Sequence, residues 1–304
     1  MAFRLDGKGP LADDIRKLAR GRVDAAVEVL ADPRDPHESV HQARKRFKEM
    51  RALVRLFRPA LGGRIARREN TWYRDHARAL SGYRDAQAVI ETVDALAGQF
   101  RLPAQQEALQ ACRQALVRRR DRLVEEEGSL AEQIAGLIDE LAIARERIGS
   151  WPMKATGAAA FTGGFRRYYA DGARAMQQSH LTGAPEPWHE WRKRVKDYWY
   201  HVQILRPLWP PVLKALQAEL KSLSDLLGDD HDLDVLETLL AQEPEHLDEL
   251  HRRMIHGMIA QQHEALRVPA LRLGQRLYAD RPGAVSRRLQ AWWTVWREEQ
   301  GQKE

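Results

Sequence analysis

Residues His41 to Pro59 lie over His189 to Pro207 without a gap at a constant offset of 148, and eight of the nineteen positions are identical. The identities are His41/His189, Arg44/Arg192, Lys45/Lys193, Arg46/Arg194, Lys48/Lys196, Val54/Val202, Arg58/Arg206 and Pro59/Pro207. Unrelated segments of that length share about one. Dropping one residue carries the register on at 147, where Arg67 meets Lys214, Arg74 meets Lys221, Leu80 meets Leu227 and Asp85 meets Asp232. The chain reads as a tandem repeat with halves of about 8–150 and 151–304, and a repeated unit must find one packing solution that serves twice. Six of the eight identities are basic, whereas a repeat kept only for its core would hold on to apolar positions.

Apolar residues recur at helical spacing throughout, as in Leu11, Leu18, Ala25 and Val29, in Leu109, Leu116 and Leu123, and in Ile134, Leu137, Ile138 and Leu141. No strand alternation survives. Breakers predict helix ends at Pro33 and Pro36, Pro59 with Gly62–Gly63, Gly98 with Pro103, Gly128, Gly149 with Pro152, and Gly183 to Pro187. Further ends are predicted at Pro207, Pro210–Pro211, Gly228, Pro244, Pro269 and Pro282. The prediction is an all-α fold of about ten helices packed as bundles. With 304 residues the chain builds a core without staples. Its single cysteine, Cys112, excludes a disulfide framework and, on an apolar stripe, reads as core. The start MAFRLDGKG has no apolar signal region and no stretch approaches 18 apolar residues, so a cytoplasmic protein is expected.

The 49 Lys and Arg exceed the 43 Asp and Glu by only six, so a strong field requires the cations to gather on one face. They do. On a helical wheel, His41, Arg44, Lys45, Lys48, Ala52 and Arg55 share one side, opposite Ala43, Phe47, Met50, Val54 and Phe57. In the second half His189, Arg192, Lys193, Lys196, Tyr200 and Gln203 oppose Trp191, Val195, Tyr198, Val202 and Leu205. The following helix adds Arg67, Arg74 and Arg78, matched by Lys214 and Lys221. Solvated faces usually mix signs, and like charges three or four residues apart repel by a few tenths of a kcal/mol per pair. A face that accepts this cost in both halves predicts a polyanionic partner.

VHQARKRFKEMRALVRLFRP and WHEWRKRVKDYWYHVQILRP each resemble the signature helix of the CHAD family, the conserved histidine α-helical domain. LSGYRDAQAVI and LGDDHDLDVL resemble its second signature, and GFRRYYADGARAM the helix that precedes it. The resemblance spans both halves and implies a single domain over 1–304. It also implies two four-helix bundles related by a pseudo-two-fold axis, with the basic helices lining a central groove. It further implies non-enzymatic binding of inorganic polyphosphate, in some members at polyphosphate granules, with no cofactor and no metal. The site residues it selects are His41, Arg44, Lys45, Lys48, Arg51, Arg55, Arg67, Arg74 and Arg78, with His189, Arg192, Lys193, Lys196, Lys214 and Lys221. Arg20 and Arg167, on the helices before each signature, form a second tier. Arginine forks pair with phosphate oxygens, lysines add mobile charge, and the histidines donate a hydrogen bond or gain charge in acid.

The halves differ. Arg51, Arg55, Arg78 and Arg84 face Trp199, Gln203, Asp225 and His231, so the first half is expected to supply more affinity. Nucleic acid, or an anionic lipid or protein surface, is an alternative partner for the same face. A metal-dependent phosphohydrolase built on Asp229, Asp230, His231, Asp232 and Asp234 is another. That run lacks the calcium-loop pattern and reads as carboxylates gathered at a helix N-terminus, with no histidine set to accompany them. His37 and His41 stand at metal-pair spacing in the first half only, because Pro185 lies opposite His37. Trp292, Trp293 and Trp296 read as packing, and Trp199 is the one aromatic placed to stack on a base.

Overall fold

The computed structural model describes residues 2–32, 35–80, 82–126, 130–243 and 247–301, with the backbone alone at 82–84 and 124–126. Twelve α-helices and no strand occur among these residues: α1 (Leu11–Leu30), α2 (Pro36–Leu56), α3 (Arg58–Leu61), α4 (Gly63–Ala79), α5 (Gly82–Gln99) and α6 (Pro103–Glu126). They continue as α7 (Leu130–Gly149), α8 (Ala159–Thr182), α9 (Pro185–Leu205), α10 (Pro210–Gln242), α11 (Glu249–Leu277) and α12 (Pro282–Glu299). Prolines open α2, α6, α9, α10 and α12, where an absent N–H costs nothing. Asp35 caps α2 by accepting from the backbone N–H groups of His37 and Glu38 at 3.1 and 3.0 Å. Gly183 ends α8 in the left-handed region at φ 65°. The ends predicted at Pro33, Gly128 and Pro244 lie outside the described residues, as does the side chain of Arg84.

Packing partners run in the same order through both halves. Helix α2 packs on α1 and α4, and α7 on α1; likewise α9 packs on α8 and α10, and α12 on α8. These eight helices share one continuous core through contacts of α2 with α8 and α9. The expected two bundles are therefore joined by a third. Helices α5, α6 and α11 close around the second part of α10, with Ile90, Leu109, Cys112, Leu236 and Ile259 in a separate core.

Two predicted breaks are corrected. Gly228 lies inside α10 and Pro269 inside α11, and both helices run on. Each residue marks the level at which its helix leaves one core for the other. Leu227 packs in the large core and Leu233 in the small one; Leu266 packs in the small core and Ala270 in the large one. Pro269 is exposed, and so is Ala265, whose carbonyl its N–H would have met, so water can solvate the broken bond. In the first half the same passage falls between helices, from α4 to α5 and from α6 to α7.

At one point the backbones nearly touch. A Cβ on Gly164 of α8 would stand 2.0 Å from the carbonyl oxygen of Leu56, so glycine is required where α8 crosses the end of α2. The N-terminal segment joins the same core. Phe3 and Leu5 are buried, and the Leu5 N–H donates to the Ile204 carbonyl at 3.0 Å. No helix, among the described residues, is long and apolar enough to cross a membrane.

Candidate functional site

The apolar sides of the two signature helices are buried as the wheels predict, with Ala43, Phe47, Met50 and Val54 on α2 and Trp191, Val195, Tyr198 and Val202 on α9. Helices α2 and α9 pack on each other, and this brings cations of the two halves together. Enclosure by protein, then Arg44 and Arg192, lowers the Lys48 ammonium to about 8 despite the pull of Asp85. Enclosure, then Arg192 and Lys48, lowers Lys196 to about 7 against Asp232 and Asp225. Burial also lowers Arg192, with Asp232 and Asp229 as partial counter-charges, and lowers Arg51 to about 10, helped by Arg55. Lys48 remains exposed and Lys196 half-buried, so protein surrounds them on most sides while water screens their mutual repulsion on the other.

His189 stands beside this group. Its Nδ1 lies 3.1 Å from Nδ1 of His231 on α10. Burial, then Lys193 and Arg192, lowers His189 to about 4; burial, then Arg192 and His189, lowers His231 to about 3. The pair is neutral at physiological pH, so His189 is a hydrogen-bonding group there and not a charge. His41 sits half-buried one turn before Arg44.

Two of the expected cations are engaged inward. Nη1 of Arg55 pairs with Asp197 of α9 at 2.5 Å, its Nε donates to Asn70 at 3.0 Å, and its guanidinium lies over the Tyr168 ring. Arg51 donates to Asn70 at 3.4 Å. Beside them Ala52 and Tyr200, placed by the wheels among the cations, are buried, and the Ala52 carbonyl is 3.1 Å from Nε2 of His201. A wheel draws one helix alone; the later turns of this face are where the halves meet.

Other predicted residues spread outward. Arg44 pairs with Asp85 at 3.2 Å, Arg74 with Asp75 at 2.7 Å and Lys221 with Asp225 at 2.5 Å. Lys193 lies 3.5 Å from Glu190, while Lys45, Arg67, Arg78 and Lys214 are exposed on their helices. The second-tier residues do not join the group. Arg20 rests its guanidinium against Gly149 at the end of α7, and Arg167 is exposed, 3.9 Å from Asp171.

Carboxylates hold this face in place, and sequence reasoning passed over them. Glu49 is 4% exposed and receives Arg22 and Arg46 at 3.1 and 3.0 Å; Asp197 is 3% exposed and receives Arg55 and Arg194 at 2.5 and 3.0 Å. The two acids are related by the same offset of 148, and that was the available signal: they are the acids of the repeat that keep their place among its cations.

The acidic run at 229–234 is also corrected. It lies in the middle of α10, not at a helix N-terminus. Its members diverge: Asp229 and Asp232 act on Arg192, whereas Asp230 and Asp234 turn to His263 and Arg267 of α11, a histidine that sequence spacing did not bring near.

An all-α fold in which two basic signature helices pack on each other defines the class of protein. The family model for the CHAD domain matches residues 15–241, and the chain belongs to that family. In fold it is similar to PptA from Streptomyces chartreusis, with a TM-score of 0.63 at 14% identity over 90% of this chain and 100% of the other. It is likewise similar to the CHAD domain from the plant Ricinus communis, with a TM-score of 0.54 at 17% identity over 90% of this chain and 95% of that one. A search of the curated proteins finds no match.

Proposed function

We propose that the chain is a non-enzymatic module that binds inorganic polyphosphate along a groove formed where α2 and α9 cross, each contributed by one repeat half. The observation that carries the reading is the enclosure of Lys48, Arg192 and Lys196 in one neighbourhood, where burial, and then Arg192 with other nearby cations, lowers both lysines. Folding gains nothing from like charges held together, so their benefit lies in a bound anion. A linear phosphate chain offers regularly spaced oxygens to arginine forks and releases counterions on binding, which makes affinity salt-dependent. Membership of the CHAD family supports the same ligand and an association with polyphosphate granules. Arg44, Lys48, Arg192 and Lys196 are the first contacts, and His189 with His231 a neutral donor pair.

The test is a titration with long-chain polyphosphate beside random-sequence duplex DNA at moderate and high salt, read by tryptophan fluorescence. Polyphosphate binding that outlasts DNA binding as salt rises, and is lost in Arg44/Lys48/Arg192/Lys196→Ala, is the expected outcome. Equal, salt-labile binding of both would reduce the face to a general polyanion surface. Of the two double variants, Arg44→Ala with Lys48→Ala is expected to cost more affinity. Asp225, Asp229 and Asp232 already offset Arg192 and Lys196, while Asp85 counters Lys48. Equal losses would refute that asymmetry.

A further inference from the structure

On the side of α10 that faces α11, away from Arg192, four side chains form an arrangement that polyanion binding does not use. Nδ1 of His263 lies 2.6 Å from Oδ1 of Asp230. Asp230 is 2% exposed and also takes the Arg267 guanidinium, with Nε at 2.7 Å. A carboxylate paired with arginine accepts this hydrogen bond, so Nδ1 carries a hydrogen, and Nε2 is the ring nitrogen whose lone pair a cation would take. That Nε2 is buried and has no hydrogen-bond partner, and the same is true of Oδ2 of Asp234. One ligand atom each from Asp234, Glu237 and His263 lie within 4.8 Å of one another.

Two desolvated polar atoms on neighbouring side chains cost about 1–3 kcal/mol each when nothing meets them. The neighbouring cation does not meet them. Nη2 of Arg267 is 3.5 Å from Oδ1 of Asp234, beyond hydrogen-bond length, and its guanidinium is committed to Asp230 and to the Trp188 ring. Nε2 of His263 is likewise 3.5 Å from that oxygen, too far for a protonated ring to bond it. We propose that Asp234, Glu237 and His263 bind a divalent first-row transition-metal cation, with Asp230 orienting the imidazole. A carboxylate on the far ring nitrogen is the usual outer partner of a metal-bound histidine, because it fixes the tautomer and raises the basicity of the ligating nitrogen.

The donor set names the class of ion. One imidazole and two carboxylates suit Zn2+ or Mn2+, whereas Mg2+ and Ca2+ prefer oxygen alone. Three protein ligands leave positions for water. None of these residues is among those placed on the polyphosphate face, so the site is independent of the polyphosphate reading.

The experiment is a Zn2+ titration of the full chain, stripped with EDTA and kept free of polyphosphate, against a chromogenic competing chelator. One equivalent bound at micromolar affinity or tighter is expected, with Mg2+ unable to displace it. Glu237→Gln is expected to weaken binding at least ten-fold and His263→Ala to abolish it. The Glu237 side chain is 39% exposed and its Oε1 lies 2.6 Å from Nδ1 of the exposed His256, so its substitution removes a surface contact and leaves packing intact, and a circular-dichroism melt verifies this. Zn2+ should raise the melting temperature of the parent protein and not that of Glu237→Gln. No stoichiometric uptake, or uptake unchanged in both variants, overturns the site and leaves a network of charges satisfied by Arg267. Displacement by equimolar Mg2+ overturns the choice of ion.

Discussion

Polyphosphate binding should draw protons from solution, and the amount follows from two lysines. With Lys196 at about 7 and Lys48 at about 8, at pH 7.5 about three-quarters of Lys196 and a quarter of Lys48 are neutral in the ligand-free protein. A phosphate chain beside them supplies the missing counter-charge and restores an ordinary lysine, so binding takes up about one proton per chain. At pH 6 both lysines are already charged, and their share of the uptake falls to about 0.1; at pH 9.5 both start neutral, and it rises to about 1.8. The His189–His231 pair adds little at pH 7.5 and above, because it begins neutral and a normal imidazole is mostly uncharged there, whereas at pH 6 any proton it takes up adds to the lysines' share. Calorimetry in buffers of different ionisation enthalpy reads the number directly, and long chains keep terminal phosphates from contributing. Lys196→Met should reduce uptake at pH 7.5 to about 0.2. A slope of zero or of opposite sign at pH 7.5 would refute the coupling, whatever the affinity. The same shifts have a sign without ligand. Between about pH 7 and 9.5 the unfolded chain holds more protons on these lysines than the folded one, so stability rises with pH across that window.

Asp197→Ala strands Arg55 and Arg194 without their shared carboxylate and should cost about 3–5 kcal/mol, lowering Tm by roughly 5–8 °C in a scanning melt; a drop below about 2 °C would show that water compensates both arginines. Gly164→Ala drives a methyl group into the Leu56 carbonyl and should destabilise by about 1–3 kcal/mol or more, whereas Gly163→Ala, whose Cβ meets Pro59 at 3.4 Å, should be tolerated in the same denaturant titration. Cys112 is buried and its thiol is pushed up to about 12 by burial, so Ellman's reagent should label it only in denaturant; full labelling of the folded chain within minutes would contradict its place in the small core.

What could be read from residues alone was whatever a single helix determines. The buried stripes of α2 and α9 and the turns carrying Arg44, Lys48, Arg192 and Lys196 follow from 3.6-residue periodicity, and the structure places them accordingly. Arg55 shows where that reasoning stops. Its position on the wheel is correct, yet its partner, Asp197, comes from 142 residues away and turns a predicted ligand contact into a clamp between halves. His263 was missed for the same reason, since the helix that brings it to Asp234 is not the one that carries the acidic run. Gly228 and Pro269 failed in the opposite direction. Their local preference for a break is real, but helices anchored at both ends by buried leucines and alanine override it.

Those two residues leave the molecule scored in a particular way. The small bundle hangs on α10 and α11 on one side and on inter-helix connections on the other. Helix α10 is a rod of 33 residues, about 50 Å long, whose weakest level is Gly228, and α11 has its own at Pro269. Both weak levels fall at the seam between the cores, and of the acids that face these cations Asp85, Asp229 and Asp232 stand just on the bundle's side of it, with Asp225 on the other. A flexing of the bundle at that seam would therefore carry most of the counter-ions with it and leave the cations, fixed in the larger core, where they are. The softest mechanical coordinate of the fold is in this sense also a dial on the charge that an incoming anion meets.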